Sequence, residues 1–316
     1  MAEYEIKNGV GIIPEGTTEI KMYAFRGCEE LSSVLIPDSV QEIRDSAFSS
    51  CLGLKSIVIP NSVTKIHNSA FSCCENLTNV VLSNSLTEIG YDAFFGCSNL
   101  TSIVIPASVT KIIGNPFARC SALTSISVDE NNKVYDSREN CNAIIETASN
   151  KLISGCSATV IPGSVTEIRA NAFQGSSLTS IIVPGSVTKV EDFAFADCKE
   201  LTDVFLPKSV KSLEQLAFKE CPNLKSFTIL GPVKKLEKTF WLTDPEHPFG
   251  YQLGHENMET ITLGTGIKVL TAIYRCPNLK AIYVPAKKGD YYRELLSPQV
   301  HHLIVELPAE KKAKKK

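Results

Sequence analysis

The sequence predicts a solenoid: a β-rich, right-handed stack of coils with short parallel strands, short helical or 3-10 turns and a period of about 23 residues. Three rows at one register predict it. Proline marks the first, at Pro14, Pro37, Pro60, Pro106, Pro162, Pro184, Pro207 and Pro285. Phenylalanine marks the second, at Phe25, Phe48, Phe71, Phe94 and Phe117, then at Phe173, Phe195 and Phe218. Cysteine marks the third, at Cys28, Cys51, Cys74, Cys97, Cys120, Cys198, Cys221 and Cys276, each with a leucine three places on. A single coil cannot bury its own apolar side, so coils of this kind stack on their neighbours.

Each part of the unit has a physical reason. In "LTSIVIP" (100–106) the alternation of Ile103 and Ile105 has the period of a strand. Pro106 ends it, because proline lacks the donor that a ladder needs. "VTKI" then sets Val109 and Ile112 for a second inward stretch, and "AFxxC" supplies a short helical turn with its three named residues turned in. From residue 86 to 105 the expected core positions are Leu86, Ile89, Ala93, Phe94, Cys97, Leu100, Ile103 and Ile105.

Two stretches break the rhythm. Residues 128–156 hold turn-rich "DENN" and "DSREN" and strand-like "NAIIE" and "KLIS", read as a hairpin-like insertion. A modified coil that keeps the solenoid continuous is preferred there over a protruding recognition loop. Residues 230–257 hold the sole tryptophan, Trp241, with Phe249 and Tyr251. Aromatics on a long loop anchor partners or pin the loop to the core. At "FQGSSL" (173–178) the cysteine is missing and the coil is one residue short. Residues 258–308 read as degenerate capping coils, with "GDYYRELL" (289–296) as a short helix. One solenoid domain over 1–308 and a disordered Lys-rich tail over 309–316 complete the organisation.

The composite pattern L-x-x-I-x-I-P-x-S-V-T-x-I-x-x-x-A-F-x-x-C resembles the BspA-like branch of the leucine-rich repeats, from about residue 8 to about residue 308. The resemblance implies a leucine-rich repeat solenoid, a bacterial setting, and protein binding, often cell adhesion or host interaction at microbial surfaces. Members share core residues rather than a common site, so it names no binding residue.

Composition narrows the classes. The chain has 316 residues, 43% hydrophobic and 21% charged, as in ordinary folded proteins. No apolar run reaches the ~18 residues of a membrane span, so no transmembrane segment is expected. "MAEYEIKNGVGIIP" lacks the pattern of a signal peptide, so the chain as written reads as cytoplasmic. The alternative is a cell-surface or secreted protein whose export signal has been removed. Net charge is −2; the five lysines and one glutamate of 310–316 carry +4, leaving −6 on the body. An acidic body argues against a nucleic-acid partner.

The eleven cysteines read as free. Equivalent positions in stacked coils lie ~4.8 Å apart with parallel side chains, and a disulfide wants its Cβ atoms ~3.8 Å apart. A row of small apolar plugs is the better reading. Cys73 falls in a solvent-facing row and is expected to be the most exposed thiol of the repeat. His67 reads as a solvated side chain, and His301 and His302 as neighbours on a strand. No metal-ligand spacing, phosphate loop or nucleophile elbow appears, so no metal and no cofactor are expected.

A right-handed β-helix polysaccharide lyase or hydrolase would share the coil length. It would need acids or bases clustered on one face, and among the outward strand positions only Asp203 is ionisable. Those positions instead form a stripe of Val58, Val81, Val104, Ile182, Phe205 and Tyr283, beside a row containing Ser102 and Asp203. In a leucine-rich repeat these would line the concave sheet. Strand propensity explains β-branched residues there, and an interaction surface explains them equally. The sequence therefore predicts a non-catalytic protein-binding module, not an enzyme, contacting a protein partner through these eight residues. Trp241, Phe249 and Tyr251 on the insertion form a secondary candidate contact. An intracellular scaffold and a self-associating structural protein are the alternatives.

Overall fold

The structure, a computed structural model, describes residues 4–214, 216–233, 257–267 and 276–309. Along most of its length, each coil gives one strand to each of two sheets and closes through an arc of turns. The first sheet runs through Val10–Ile12, Ser33–Leu35, Ser56–Val58, Asn79–Val81, Ser102–Ile105 and Ser125–Val128. Beyond the first insertion it continues as Ser180–Ile182, Asp203–Leu206, Ser226–Ile229, Thr260–Leu263, Ala281–Val284 and Ile304–Glu306. Its pairings are parallel and equate repeat positions, as in Ile103 with Ile126 and Val204 with Phe227. The second sheet uses two-residue strands from Glu19–Ile20 to Lys111–Ile112, then resumes through Glu167–Ile168, Lys189–Val190 and Ser212–Leu213. The eight core positions expected between Leu86 and Ile105 are all buried.

The arc that sequence reads as a helical turn is closed by i→i+3 bonds but does not propagate as a helix. Ala24, Arg26 and Cys28 donate to Lys21, Tyr23 and Phe25 within the coil. The alternate donors Tyr23, Phe25 and Gly27 reach the next coil, at the carbonyls of Asp45, Ala47 and Ser49. This division requires a left-handed residue at every fourth place, such as Tyr23 and Gly27, Ser46 and Ser50, or Ser69 and Cys73. Left-handed backbone is costly for residues with a side chain, and the inter-coil bonds offset it.

Inside the arc the phenylalanine rings form two stacks. From Phe25 to Phe117 the centroids are 5.0–5.5 Å apart, and Phe173, Phe195 and Phe218 repeat the arrangement at 4.9 and 5.0 Å. The cysteines do more than fill space. The thiol of Cys51 donates to Phe25 O at 3.0 Å, Cys74 to Phe48 O at 3.0 Å and Cys97 to Phe71 O at 3.2 Å. Cys198 and Cys221 repeat the contact at 3.1 and 3.2 Å. All eleven cysteines are free, ten are buried, and Cys73 alone among them is half-buried. Burial raises the Cys97 and Cys198 thiols well above the ordinary value and Cys276 to about 12, which keeps them protonated donors.

Residues 128–156 build an antiparallel unit of Tyr135–Asp136, Ala143–Glu146 and Lys151–Gly155 that is buried rather than protruding. Lys151–Gly155 joins the second sheet by pairing in parallel with Glu167–Ile168. The hairpin divides the core. Ile144 and Ile153 pack with the coils before it, and Ala143, Ile145 and Leu152 with the coils after it.

Among the described residues the arcs stack directly across this wall. Arg119 N–H donates to Gln174 O at 2.7 Å, continuing the arc ladder. At the next rung the buried Asn115 amide substitutes for backbone. It accepts from Phe117 N–H at 3.0 Å and donates to Asn171 O at 2.7 Å and Ala172 O at 3.3 Å. The Arg119 side chain crosses Gly175 to pair with Asp197 at 2.6 Å. A Cβ on Gly175 would lie 2.7 Å from the Arg119 backbone, so only glycine lets the arginine through.

Both ends carry atypical elements. Glu5–Lys7 pairs antiparallel with Val10–Ile12 through a left-handed Asn8–Gly9 turn, covering the first edge. Helix α1 (Gly289–Leu295) sits where the sequence places a helix, and buries Tyr292, whose hydroxyl donates to Gly264 O. His301 and His302 lie in a 3-10 helix, Pro298–Leu303, and not on a strand. Pro298 in its first turn fixes a helical φ and starts it. His67 also departs from expectation: its ring is 2.9 Å from Glu42 and 3.4 Å from Arg44 instead of standing free in water.

Candidate interaction surface

The strand geometry sorts the two sheets into faces of different chemistry. On the first sheet the middle residue of each strand points inward and its neighbours outward, giving the exposed–buried–exposed pattern of Ser56–Val58 and Ser180–Ile182. Parallel register then lines equivalent residues into rows. Val58 is paired with Val81, Val104 with Ser127, Ile182 with Phe205, and Thr262 with Tyr283. Leu35, Val58, Val81, Val104, Ile182 and Phe205 are 38–79% exposed, a large apolar area for side chains at equivalent strand positions. Tyr283 is half-buried, and Ser102 and Asp203 are exposed in the neighbouring row. Thr202 Oγ1 donates to the Asp203 carboxylate at 2.6 Å.

The structure adds two members to the row, and an exposed valine stands at the matching place of a coil without a strand there. Ile12 pairs with Leu35, and Val305 with Tyr283, and both are exposed. Val160 holds the same place in its coil, two before Pro162 as Val104 is two before Pro106, and is 76% exposed. The proline rule locates it in the sequence, but the irregular spacing after the hairpin hides it. Val104 and Ile182 are not neighbours, because Ser125–Val128 and then the hairpin coil stand between their strands. The row therefore falls into an aliphatic run, from Ile12 to Val104, and a run beyond the hairpin that turns to threonine at Thr228 and Thr262. At its first end Val10, Ile12, Ile13, Leu35 and Ile36 line a shallow cleft of about 410 Å3, with Glu15 and Asp38 on its margin.

The second sheet presents the opposite character. Glu19, Glu42, Lys65, Glu88 and Lys111 stack in register, and so do Lys151, Glu167 and Lys189. Arg44 reaches Glu19 at 2.7 Å and Glu42 at 2.8 Å, and Lys111 reaches Glu88 at 2.9 Å. Burial works against the charge on Glu42, but the His67 hydrogen bond and the Arg44 and Lys65 cations hold it below the ordinary carboxylate value. Charges satisfied along the ladder leave this sheet saturated, whereas the outward rows of the first sheet have a single ionisable residue, Asp203, between Ile12 and Phe205.

Among the described residues there is no cluster of three or more His, Cys, Asp or Glu able to hold a metal, and no helix long and apolar enough to cross a membrane. Trp241, Phe249 and Tyr251, the secondary candidates, lie outside the described residues.

Two parallel sheets, coil-by-coil register and stacked interior rows define a leucine-rich repeat solenoid. The chain belongs to the BspA type leucine rich repeat family, whose model matches in six copies over residues 10–124 and 137–243. It is similar to the crystal structure of the pneumococcal vaccine antigen PcpA, with a TM-score of 0.70 at 23% identity over 92% of this chain and 77% of that one. It is similar also to a leucine rich cell surface protein from Faecalibacterium prausnitzii, with a TM-score of 0.70 at 30% identity over 88% of this chain and 72% of the other. A leucine-rich repeat protein from Eubacterium ventriosum matches with a TM-score of 0.60 at 22% identity, over 88% and 81% of the two chains. No curated protein matches this chain.

Proposed function

We propose that the protein is a non-catalytic binding module that recognises a protein partner through the outward rows of its first sheet, the side that leucine-rich repeats present as concave. One observation carries the proposal: six large apolar side chains, Leu35, Val58, Val81, Val104, Ile182 and Phe205, stand exposed at equivalent places in their strands. Exposed apolar patches of this kind commonly mark interaction sites. The flanking hydroxyls, Ser102 among them, and the Asp203 carboxylate supply polar edges around an apolar strip, the usual composition of a recognition surface. Tyr283 extends the strip toward the C-terminal end.

A cell-surface role in adhesion or host contact is the setting we favour, because the 30%-identical relative is a cell surface protein. A cytoplasmic scaffold uses the same surface on a different partner. The test uses Val104→Glu and Phe205→Glu. Both side chains point to solvent, so circular dichroism and melting temperature are expected to stay unchanged. Capture of partners from host matrix and from lysate is expected to fall more than ~10-fold. Undiminished capture by both variants would remove this surface from the account. Loss of a dimer by size-exclusion, with no loss of capture, would show that the strip pairs two copies instead.

A further inference from the structure

The first sheet has an open edge at each end of the stack. At the far end Ile304–Glu306 pairs only with Ala281–Val284 among the described residues. Leu307 N–H donates to Val284 O at 2.8 Å. Residues 305 and 307 therefore face that neighbour, and the backbone groups of Ile304 and Glu306 face outward. At the first end the outermost strand is Glu5–Lys7. Its two-residue turn makes Lys7 and Val10 a bonded pair, and alternation makes Glu5 and Ile12 the next one. The N–H and C=O of Ile6 are left facing outward.

Charge on short sheet edges ordinarily keeps copies of a chain apart. Here the two ends carry opposite signs. Residues 4–40 hold six carboxylates against three lysines and arginines, and residues 280–316 hold nine lysines and arginines against four carboxylates. At the first end Glu15 and Asp38 stand on the margin of the apolar cleft at Ile12, Ile13, Leu35 and Ile36. Glu5 pairs across from Ile12. These three carboxylates are exposed and have no ion pair among the described residues. Register brings the far end to the same side. Leu307 follows Val305 by two residues, as Pro14 follows Ile12 and Pro37 follows Leu35, and these strands run in parallel. The chain beyond Val305 thus leaves the sheet on the side of Glu15 and Asp38, and it carries the five lysines of 311–316.

We propose that a second copy of this chain stacks head to tail on the first end. Ile304–Glu306 of one copy adds antiparallel to Glu5–Lys7 of the next, with Ile304 opposite Ile6, and the lysines of 311–316 lie over Glu5, Glu15 and Asp38. Ile6 packs against the core of the first coils and Ile304 against that of the last, so this register continues the interior from one copy into the next. It sets Glu5 opposite Val305 on the outward face. Leu307, exposed beside Val305, is carried toward the apolar cleft. The contact joins two different surfaces, so it repeats into an open series instead of closing as a dimer. It uses the ends of the stack and does not rest on the outward rows binding a partner.

The test is sedimentation velocity of the full chain from about 10 µM to about 1 mM, in about 50 mM and about 500 mM salt. At low salt a series of species larger than a dimer is expected to grow with concentration, and high salt is expected to weaken it at least ~10-fold. Two charge-reversed variants locate the contact. One carries Glu15→Lys and Asp38→Lys, the other Lys311→Glu, Lys312→Glu and Lys314→Glu. Each alone is expected to keep the wild-type melting temperature and to associate at least ~10-fold more weakly. Mixed, they are expected to associate again, because opposite charges then meet at every junction. Glu5→Cys mixed with Val305→Cys is expected to form a disulfide between copies under mild oxidation, and Lys111→Cys mixed with Val305→Cys is not. A chain that stays monomeric throughout, its lysines folded back on their own copy included, would overturn the proposal. So would association that survives both charge reversals, a mixture that fails to associate, or Glu5→Cys linking no faster than Lys111→Cys. Association lost in Val104→Glu and Phe205→Glu but kept in both charge variants would put the contact on the sheet face and overturn it too.

Discussion

At the scale of single residues, the repeat uses cysteine where a small apolar plug would also fit. The thiol adds a second bond to each phenylalanine carbonyl, 3.0 Å from Cys51 to Phe25 O, and burial holds it protonated. Sequence shows the row and its spacing but not the bond, since the acceptor lies 26 residues back and depends on how the coils stack. Asp92 shows the same limit. Its left-handed place in the arc half-buries the carboxyl, and burial pushes its pKa to about 6 from an ordinary 3.8. The fold therefore prefers the protonated acid. Stability falls as pH rises from about 4 to about 6 and stays reduced above that window. Asp92→Asn, which keeps a residue tolerant of left-handed backbone, is expected to raise the melting temperature by about 2 °C at pH 7. It should leave it unchanged at pH 3.5. An equal rise at both pH values would assign the effect to something other than the charge.

At the scale of elements, the regular coils were legible because one face of each strand is buried. Ile103 and Ile105 alternate with exposed residues, so burial writes a period into the sequence. The proline row marks the end of each first strand for a backbone reason and is equally legible. The arc has the apolar spacing of a helical turn, which is what the sequence predicts there. Only the left-handed residues, which include Tyr23, Ser46 and Phe193 as well as glycine, separate the two forms. Non-glycine side chains in that region carry no clear sequence signal. Asn115 was also invisible, although it joins the arcs across the hairpin. Asn115→Ala removes the acceptor for Phe117 N–H and the donor to Asn171 O. The cost is expected to be about 2–4 kcal/mol in chemical denaturation. A loss below ~0.5 kcal/mol would mean that the arcs do not depend on the amide.

At the scale of the whole molecule, two parallel sheets divide the work. The second sheet satisfies its charges internally, through pairs such as Lys111 with Glu88 at 2.9 Å. The first leaves apolar rows open. This division is partly legible: the repeat register specifies the first sheet's outward rows residue by residue. Val160 and the break between Val104 and Ile182 are not legible, because the hairpin between those coils changes the spacing. Residues in the first sheet's outward rows are free of core duties, which is why their identities vary from valine to phenylalanine to threonine along the stack.

The direct measurement is site-specific photo-crosslinking. A photoreactive residue is placed at Val104 or Phe205 on the first sheet and, as the control, at Lys111 on the second. The chain is then exposed to host matrix and to lysate. The account predicts one partner band, shared by positions 104 and 205 and absent at 111. A band from Lys111 with none from Val104 or Phe205 would contradict it.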